Sequence, residues 1–459
     1  MAKRTVTRRD ALKGLGATAA GSTLYACSDD TGTGPEPEPG PGEITHVVVL
    51  MMESRSYDHM LGSRSLLEGL PGDGLTESLT NPDIDGEARA IYRESTWCVA
   101  DPPHGWDSSH LQFNDGQNDG FMREYQASAG ASIDPHVMSY FTREDLPVTH
   151  ALADAYTSCD RWFCSVMGPT WPNRFYFHAA QSAGMKTNDA PPDAMPLIYD
   201  RLDDKGISWE YYYTDLPFLW LLGAKHSQPA TPNFFDAAAA GTLPQVTVID
   251  PGFALNDDHP PHHPLLGQQF IAAVYQALAT SPLWKNVLFI VTYDEHGGFF
   301  DHVAPPKVPD DRAAEGFDQL GFRVPTLIMG PYVKPGHVSS VQYDHTSVLK
   351  HIENMFGLEP LTARDAAAND LSDAIDQERL EANEPAEPIQ LPAIDIDASM
   401  IDPACKTELR MGPSSDLEVI ADRGEIPVHL DLRHKRYETA FFIGDYLKKH
   451  GLGSMRRKP

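Results

Sequence analysis

The chain has 459 residues, with 65 Asp or Glu against 36 Lys or Arg and a formal net charge of −29 at pH 7. That balance disfavours nucleic-acid binding by counterion release, and docking on anionic lipid by electrostatics alone. The length is ample for one large core with insertions, and no stretch beyond the N-terminal region is long and apolar enough to span a bilayer.

Residues 1–26 read as an address label. Thr7-Arg8-Arg9-Asp10-Ala11-Leu12-Lys13 holds a twin-arginine pair, followed by a weakly apolar Ala/Gly/Thr stretch too short and polar for a spanning helix. This predicts a signal peptide for twin-arginine export, to the periplasm or cell surface. The stretch closes on Leu24-Tyr25-Ala26-Cys27, similar to the bacterial lipobox in which the cysteine is lipidated and becomes the mature N-terminus. Plain cleavage, with Cys27 incidental, is the alternative; lipidation would make the membrane a partner. Residues 27–43 are rich in Pro, Gly and Glu and predict an extended tether.

Beyond the tether, short apolar runs recur at Val47–Met52, Ile207–Tyr213, Val246–Ile249, Val287–Tyr293 and Val324–Met329. Helical patterns lie between and after them, as at Leu265–Thr280 and Thr346–Phe356. Alternation of buried strand and amphipathic helix predicts an α/β fold, a mostly parallel sheet flanked by helices on both faces. Ligands of such sheets gather beyond the carboxyl ends of the strands. Residues 386–459 predict a C-terminal extension ending in an amphipathic helix at Arg436–His450, with an acidic, low-complexity approach at Leu371–Asp397. Of five cysteines, Cys98, Cys159, Cys164 and Cys405 lie beyond the lipobox; export permits disulfides, and four cysteines allow three pairings.

Several strand ends deliver chemistry. Val47–Met52 runs into Glu53-Ser54-Arg55-Ser56-Tyr57-Asp58-His59, Val246–Ile249 into Asp250, and Val287–Tyr293 into Asp294-Glu295-His296-Gly297-Gly298, with Asp301-His302 close behind. A lone Asp-Glu pair is more often a solvated loop. Acids brought together at neighbouring strand ends cost energy unless something positive sits between them, and a divalent cation is the simplest such thing. Carboxylates suit Mg²⁺, Ca²⁺ or Mn²⁺, with iron or zinc if a histidine joins.

Five stretches carry a resemblance: VVLMMESRSYDHMLG, YFTREDLPVTHALADAYTSCDRWFCSVMGPTWPNRFYF, DDHPPHHPLLGQQF, FIVTYDEHGGFFDHVAPP and FRVPTLIMGPYVKPGHVSSVQYDHTSVLKHIENMFGL. In this order the chain resembles the bacterial phosphoesterase family of phospholipases C and AcpA-type acid phosphatases, itself similar in fold to the alkaline phosphatase superfamily. The resemblance implies an alkaline-phosphatase-like catalytic domain over residues 44–385. It implies Thr170 as the nucleophile, with Glu53, Ser54, Thr170, Asp294 and Glu295 around a divalent metal ion of unknown identity. A threonine hydroxyl is a poor nucleophile at neutral pH and needs such a cation beside it. Ser54 departs from the family, which usually has Asn there. His104 and His259 match positions that contact the phosphate or the leaving group.

Asp258, Arg174, His296, His302 and His345 form a second tier in matching motifs, with roles orienting other groups as much as touching substrate. Arg55, Asp58 and His59 are expected to brace their loop through an internal ion pair, and His262 and His263 have only proximity to recommend them. The spacing Thr170-x-Pro172-x-Arg174 invites comparison with sulfatases, but threonine cannot yield the formylglycine aldehyde. The expected activity is metal-dependent phosphodiester hydrolysis through a phosphothreonine intermediate, on a phosphate ester substrate that includes phospholipid. The alternatives are a phosphomonoesterase using the same residues and a tethered binding protein with a degenerate site. Trp97, Trp106, Trp171, Tyr211–Tyr213 and Trp220 offer material for an aromatic cage around a headgroup, or are core.

Overall fold

The computed structural model describes residues 42–97, 99–224, 226–402 and 431–457. The predicted signal peptide, Cys27, most of the tether, Cys98 and Cys405 lie outside them.

An eight-stranded sheet forms the centre. Its strands are β1 (His46–Met52), β2 (Thr157–Cys159), β3 (Trp209–Tyr213), β4 (Gln228–Pro229), β5 (Val246–Ile249), β6 (Val287–Tyr293), β7 (Thr326–Met329) and β8 (Val338–Ser339), in spatial order β8-β2-β7-β6-β1-β5-β3-β4. All neighbours pair in parallel except β7, which runs antiparallel to both β6 and β2. The fold is therefore α/β with a mostly parallel sheet. Both central strands are buried along almost their whole length, which is why they read as continuous apolar runs rather than alternating ones.

Register places the chemistry. β1 and β6 end level, Met52 opposite Tyr293, and Leu50 of β1 lies opposite Ile249 of β5. The residues that follow, Glu53, Asp294 and Asp250, therefore leave three adjacent strands at one edge of the sheet. Backbone bonds extend the alignment: Glu53 N–H donates to the Asp257 carbonyl at 2.8 Å, and Asp294 N–H to the Met52 carbonyl at 3.1 Å.

Helices cover the sheet, among them α1 (Thr170–Ala179), α2 (Pro264–Ala279), α3 (Thr346–Phe356) and α4 (Leu432–Lys449). α4 starts earlier than its apolar pattern because Asp431 caps it, accepting from His434 N–H. Its Phe442 and Tyr446 pack on Phe235, with ring centroids 5.2 and 4.8 Å apart. A two-stranded parallel piece joins Ile394–Asp397 to Gly453–Arg456, so the acidic stretch ends as a strand. Among the described residues no helix is long and apolar enough to cross a membrane. Cys159 and Cys164 are free, buried thiols.

Candidate active site

The segment Asp294–Asp301 is buried throughout, so it is not a solvated loop. Gly297 makes the turn: its φ is +63°, and a Cβ there would lie 2.0 Å from the Ser54 carbonyl oxygen. The loop after β6 is thereby pressed onto the loop after β1. Ser54 N–H donates to Asp294 Oδ1 at 3.1 Å and Ser54 Oγ to Glu295 Oε1 at 2.6 Å, while Gly297 N–H donates to Glu295 Oε2 at 2.6 Å.

Thr170 is the first residue of α1, following Gly168-Pro169. Asn173 ties that turn down, its Nδ2 donating to the carbonyls of Val166, Gly168 and Pro169. Arg174 follows Thr170 by four residues, so the two share a helix face with a rise of about 6 Å between them. Arg174 is fully buried and meets three acids: Glu53 at 3.3 Å, Asp250 at 2.8 Å and Asp294 at 3.1 Å. The positive charge expected among the strand-end acids is thus supplied in part by this guanidinium, a role the sequence did not assign to it.

One arginine does not balance the nest. Burial, then Asp294, pushes the Glu53 carboxyl well above its ordinary range, against Arg174. Burial lifts Glu295 to about 7, with His104 opposing and Asp294 adding. Asp294 is raised by burial despite Arg174. Carboxylates that gain affinity for protons are short of positive charge, and a hard divalent cation fits this all-oxygen donor set. Glu53, Asp294, Glu295 and the Thr170 hydroxyl would hold it. The Ser54 hydroxyl is engaged as a donor to Glu295.

His104 and His259 are brought together at the mouth, their ring centroids 5.7 Å apart. Each gives its Nδ1 side to a backbone carbonyl, Pro102 at 2.7 Å for His104 and Pro260 at 2.6 Å for His259. His104 Nε2 lies 3.8 Å from Glu295, and His259 Nε2 lies 3.8 Å from Asp101. Burial works to lower the His104 pKa, but Glu295, Asp101 and the Pro102 carbonyl outweigh it and hold it at about 9. His259 is lowered by burial against the pull of Asp101.

The remaining residues sort by contact. His296 bonds Gln112 at 2.8 Å and stands 3.5 Å from Glu295. His345 Nε2 lies 2.7 Å from the Asp294 carbonyl. Asp258 turns away, accepting from Tyr293 Oη at 2.6 Å, and His302 belongs to a separate network with Asp58, Asp73 and Arg323. The ion pair expected inside Arg55–His59 is absent: Arg55 donates to the Asp258 carbonyl and lies 3.0 Å from His59, while Asp58 pairs with Arg323. Arg55 is instead buried over the Phe299 ring, 4.7 Å from its centroid, while both Asp58 oxygens are taken by Arg323 and His302. Trp171, Tyr211 and Tyr212 are core rather than cage.

Two acids escaped the sequence reading. Asp257 accepts from His259 N–H and pairs with His262 at 2.6 Å, which gives His262 a structural task. Asp101, half-exposed, stands between His104 and His259. Its only signal was an acid three residues before His104 in Asp-Pro-Pro-His.

Comparison with known proteins gives the family. The phosphoesterase family model matches residues 44–359. Non-specific phospholipase C1 of Arabidopsis thaliana is 35% identical over 373 residues, covering 71% of this chain and 69% of the relative. Phospholipase C B of Mycobacterium tuberculosis is 32% identical over 407 residues, covering 72% and 77%. Among solved structures, a protein of the alkaline phosphatase superfamily from Vibrio parahaemolyticus is 12% identical with a TM-score of 0.39, covering 72% of each chain. The chain belongs to the phosphoesterase family and is a hydrolase of phosphate ester bonds.

Proposed function

We propose that this chain is a phospholipase C-type phosphodiesterase that works through a phosphothreonine intermediate. One observation carries the reading: Thr170 opens a helix one turn from Arg174, which is itself clamped to Glu53 and Asp294. Thr170 thereby lies on the helix face that carries Arg174 and at the positive end of the α1 dipole, where an anionic phosphoryl group is favoured. The names of the relatives support lipid phosphodiesters as the substrate class.

In this reading Thr170 Oγ attacks phosphorus as the ester bond to the leaving alcohol breaks, and water later releases the phosphate ester from Thr170. His104 and His259 face the phosphoryl oxygens and the leaving group, where positive charge is needed. A divalent cation bound in the nest would neutralise the carboxylates and lower the pKa of the hydroxyl beside them. Arg174 holds Glu53 and Asp294 in place for it.

The test is a paired assay. Metal-stripped protein, given single divalent ions, is offered p-nitrophenyl phosphorylcholine and p-nitrophenyl phosphate, which share a leaving group. The ratio of kcat/KM values then reports diester against monoester transition-state stabilisation. The expected result is diester preference with no turnover before metal is restored. Monoester preference would favour the acid phosphatase reading, and silence on both with every ion would overturn hydrolysis at this site.

Export and anchoring complete the proposal. Cys27 is lipidated after twin-arginine export, so cells should release the protein only with detergent, and Cys27→Ala should free it. Recovery of the unaltered protein in a washed soluble fraction would favour plain cleavage.

A further inference from the structure

We propose that Arg364 is a positioning residue for the reaction, clamping the turn and the helix that present Thr170. It stands in the short helix Ala363–Ala367, beyond the residues of the family match. Its side chain is 2% exposed, and its guanidinium is turned to the surroundings of the nucleophile. Nη1 donates to the Ser165 carbonyl at 2.8 Å and to Asp344 at 2.9 Å, while Nη2 donates to Asp310 at 2.9 Å and to the Phe317 carbonyl. The guanidinium carbon lies over the Tyr176 ring, 4.8 Å from its centroid, and Tyr176 Oη donates to the same Asp310 oxygen at 2.8 Å. Ser165 lies five residues before Thr170 and Tyr176 six after it, so one side chain grips the chain on both sides of the nucleophile.

The turn needs a clamp because it is packed apart from the sheet core. Val166, Tyr176 and Phe317 form a small apolar cluster of their own, with Trp106 against it. Trp106 also closes on Gly168, where a Cβ would lie 3.2 Å from its ring. So small a cluster holds a turn less firmly than the main core does, and directional bonds from a planar, charged fork make up the difference. The helix is held at its other end as well: Thr362 Oγ1 donates at 3.2 Å to the carbonyl of Ala180, the residue that caps α1. Asp365 fixes this strap in turn, accepting from the Leu361 and Thr362 amides at 2.7 and 2.8 Å. Within the frame, Asn173 Oδ1 accepts from Val166 N–H at 2.9 Å, so a shift of the Ser165 peptide is passed on to Gly168-Pro169 and the Thr170 hydroxyl. The bonds of Arg364 go to none of Glu53, Asp294 or Glu295, and its part is therefore geometric. A displacement of about 1 Å in a positioned nucleophile can cost about 10²-fold in rate.

The inference rests on the proposed function in taking Thr170 as the nucleophile, and one of its two readouts does not depend on turnover. Arg364→Lys in the full-length protein keeps the charge and loses the fork. On p-nitrophenyl phosphorylcholine with a divalent ion restored, kcat should fall by about 10- to 100-fold while KM stays within about twofold. Amide hydrogen exchange, followed by mass spectrometry below the thermal transition, should quicken at least about tenfold in peptides spanning residues 165–180 and stay unchanged in the central strands. Thr362→Val, at a half-buried position, stands in should Arg364→Lys fail to fold; it removes the bond to Ala180 and should lower kcat by about three- to tenfold at constant KM. A folded Arg364→Lys with wild-type kcat, and with exchange raised evenly along the chain or nowhere, would overturn the proposal and leave Arg364 as a contributor to stability alone. A rise in KM at constant kcat would overturn it too, because that is lost binding. Full activity in Thr170→Val would strike the proposed function, whereas an inactive Thr170→Val beside a fully active Arg364→Lys would strike this inference only. If wild type hydrolyses nothing, the exchange pattern alone decides whether Arg364 holds the turn.

Discussion

Arg174 donates through Nε to Asp294 at 3.1 Å, joining the start of the nucleophile helix to the end of a central strand. Its other bonds reach Asp250 and the Met51 and Met52 carbonyls, all within the buried sheet edge. Burial works against the guanidinium's charge, but Asp250, Asp294 and Glu53 more than compensate and raise its pKa. Removing one partner of a buried ion pair costs about 3–5 kcal/mol because the other charges are left uncompensated. Arg174→Met should lose stability on that scale in urea unfolding. Arg174→Lys should recover only part of it, since an ammonium cannot reach three acids and two carbonyls in the fork geometry.

Thr170→Val keeps the shape of the side chain and removes the hydroxyl. Thr170 is 9% exposed, and β-branched valine is tolerated at a helix start. The expected loss in kcat is at least about 10³-fold, with the thermal transition unchanged. Activity within a few-fold of wild type would remove Thr170 as nucleophile.

Ser54 has φ +61°, left-handed backbone in which Asn is better tolerated than Ser. Its Oγ holds Glu295, so Ser54→Ala should cost roughly 1.5–3 kcal/mol, the range for a hydrogen bond to a charged group. Ser54→Asn relieves the backbone and brings a longer oxygen to the nest, and should tighten divalent-ion binding measured by calorimetry. Equal affinity in Ser54→Ala and wild type would detach Ser54 from the cation altogether.

The centre of this fold was legible because parallel strands buried on both faces leave continuous apolar runs: Val246–Ile249 and Val287–Tyr293 match their strands residue for residue, and Val47–Met52 misses only His46. The short strands Thr157–Cys159, Gln228–Pro229 and Val338–Ser339, at or next to the sheet's edges, are two or three residues long and carry no period to read. Glu53, Asp294 and Glu295 stood out as acids closing apolar runs. Asp101 did not, and Arg174 stood out only as a second-tier residue without its partners, because their significance comes from residues distant in sequence that the fold brings to them. The partner of Asp58 was misassigned for the same reason: proximity in sequence suggested Arg55, whereas the fold supplies Arg323.

His302 should make stability depend on pH. Burial acts to lower its pKa, but its bond to Asp58 at 2.7 Å and the charges of Asp58 and Asp301 raise it to about 9. A folded-state pKa above the unfolded value near 6.5 means that the contribution is fully present below about 6.5 and is lost as pH rises through about 9. With a fifth of the side chain exposed, the amplitude is at most about 3 kcal/mol. Urea midpoints of wild type should fall between pH 6.5 and 9.5. His302→Gln should start lower and show a shallower decline, and parallel slopes in the two proteins would contradict the assignment.

Gly297 offers the sharpest test of how the nest is assembled. Its Cβ position lies 2.0 Å from the Ser54 carbonyl oxygen and 2.5 Å from the Ser54 carbonyl carbon, backbone atoms that cannot rotate away. Its φ of +63° is a second obstacle for any L side chain. Gly297→Ala must therefore push the loops after β1 and β6 apart, breaking the bonds from Ser54 to Asp294 and Glu295 as well as the Gly297 N–H bond to Glu295. The sheet behind them has no such dependence. The expected outcome is a protein that keeps its circular dichroism, loses several kcal/mol of stability and binds divalent ions at least about tenfold more weakly. Gly69→Ala supplies the control, since Gly69 has the same φ of +63° but nothing within 4 Å of its Cβ position. If both substitutions weaken ion binding equally, backbone strain alone is responsible and the close approach of the two loops is not what forms the nest.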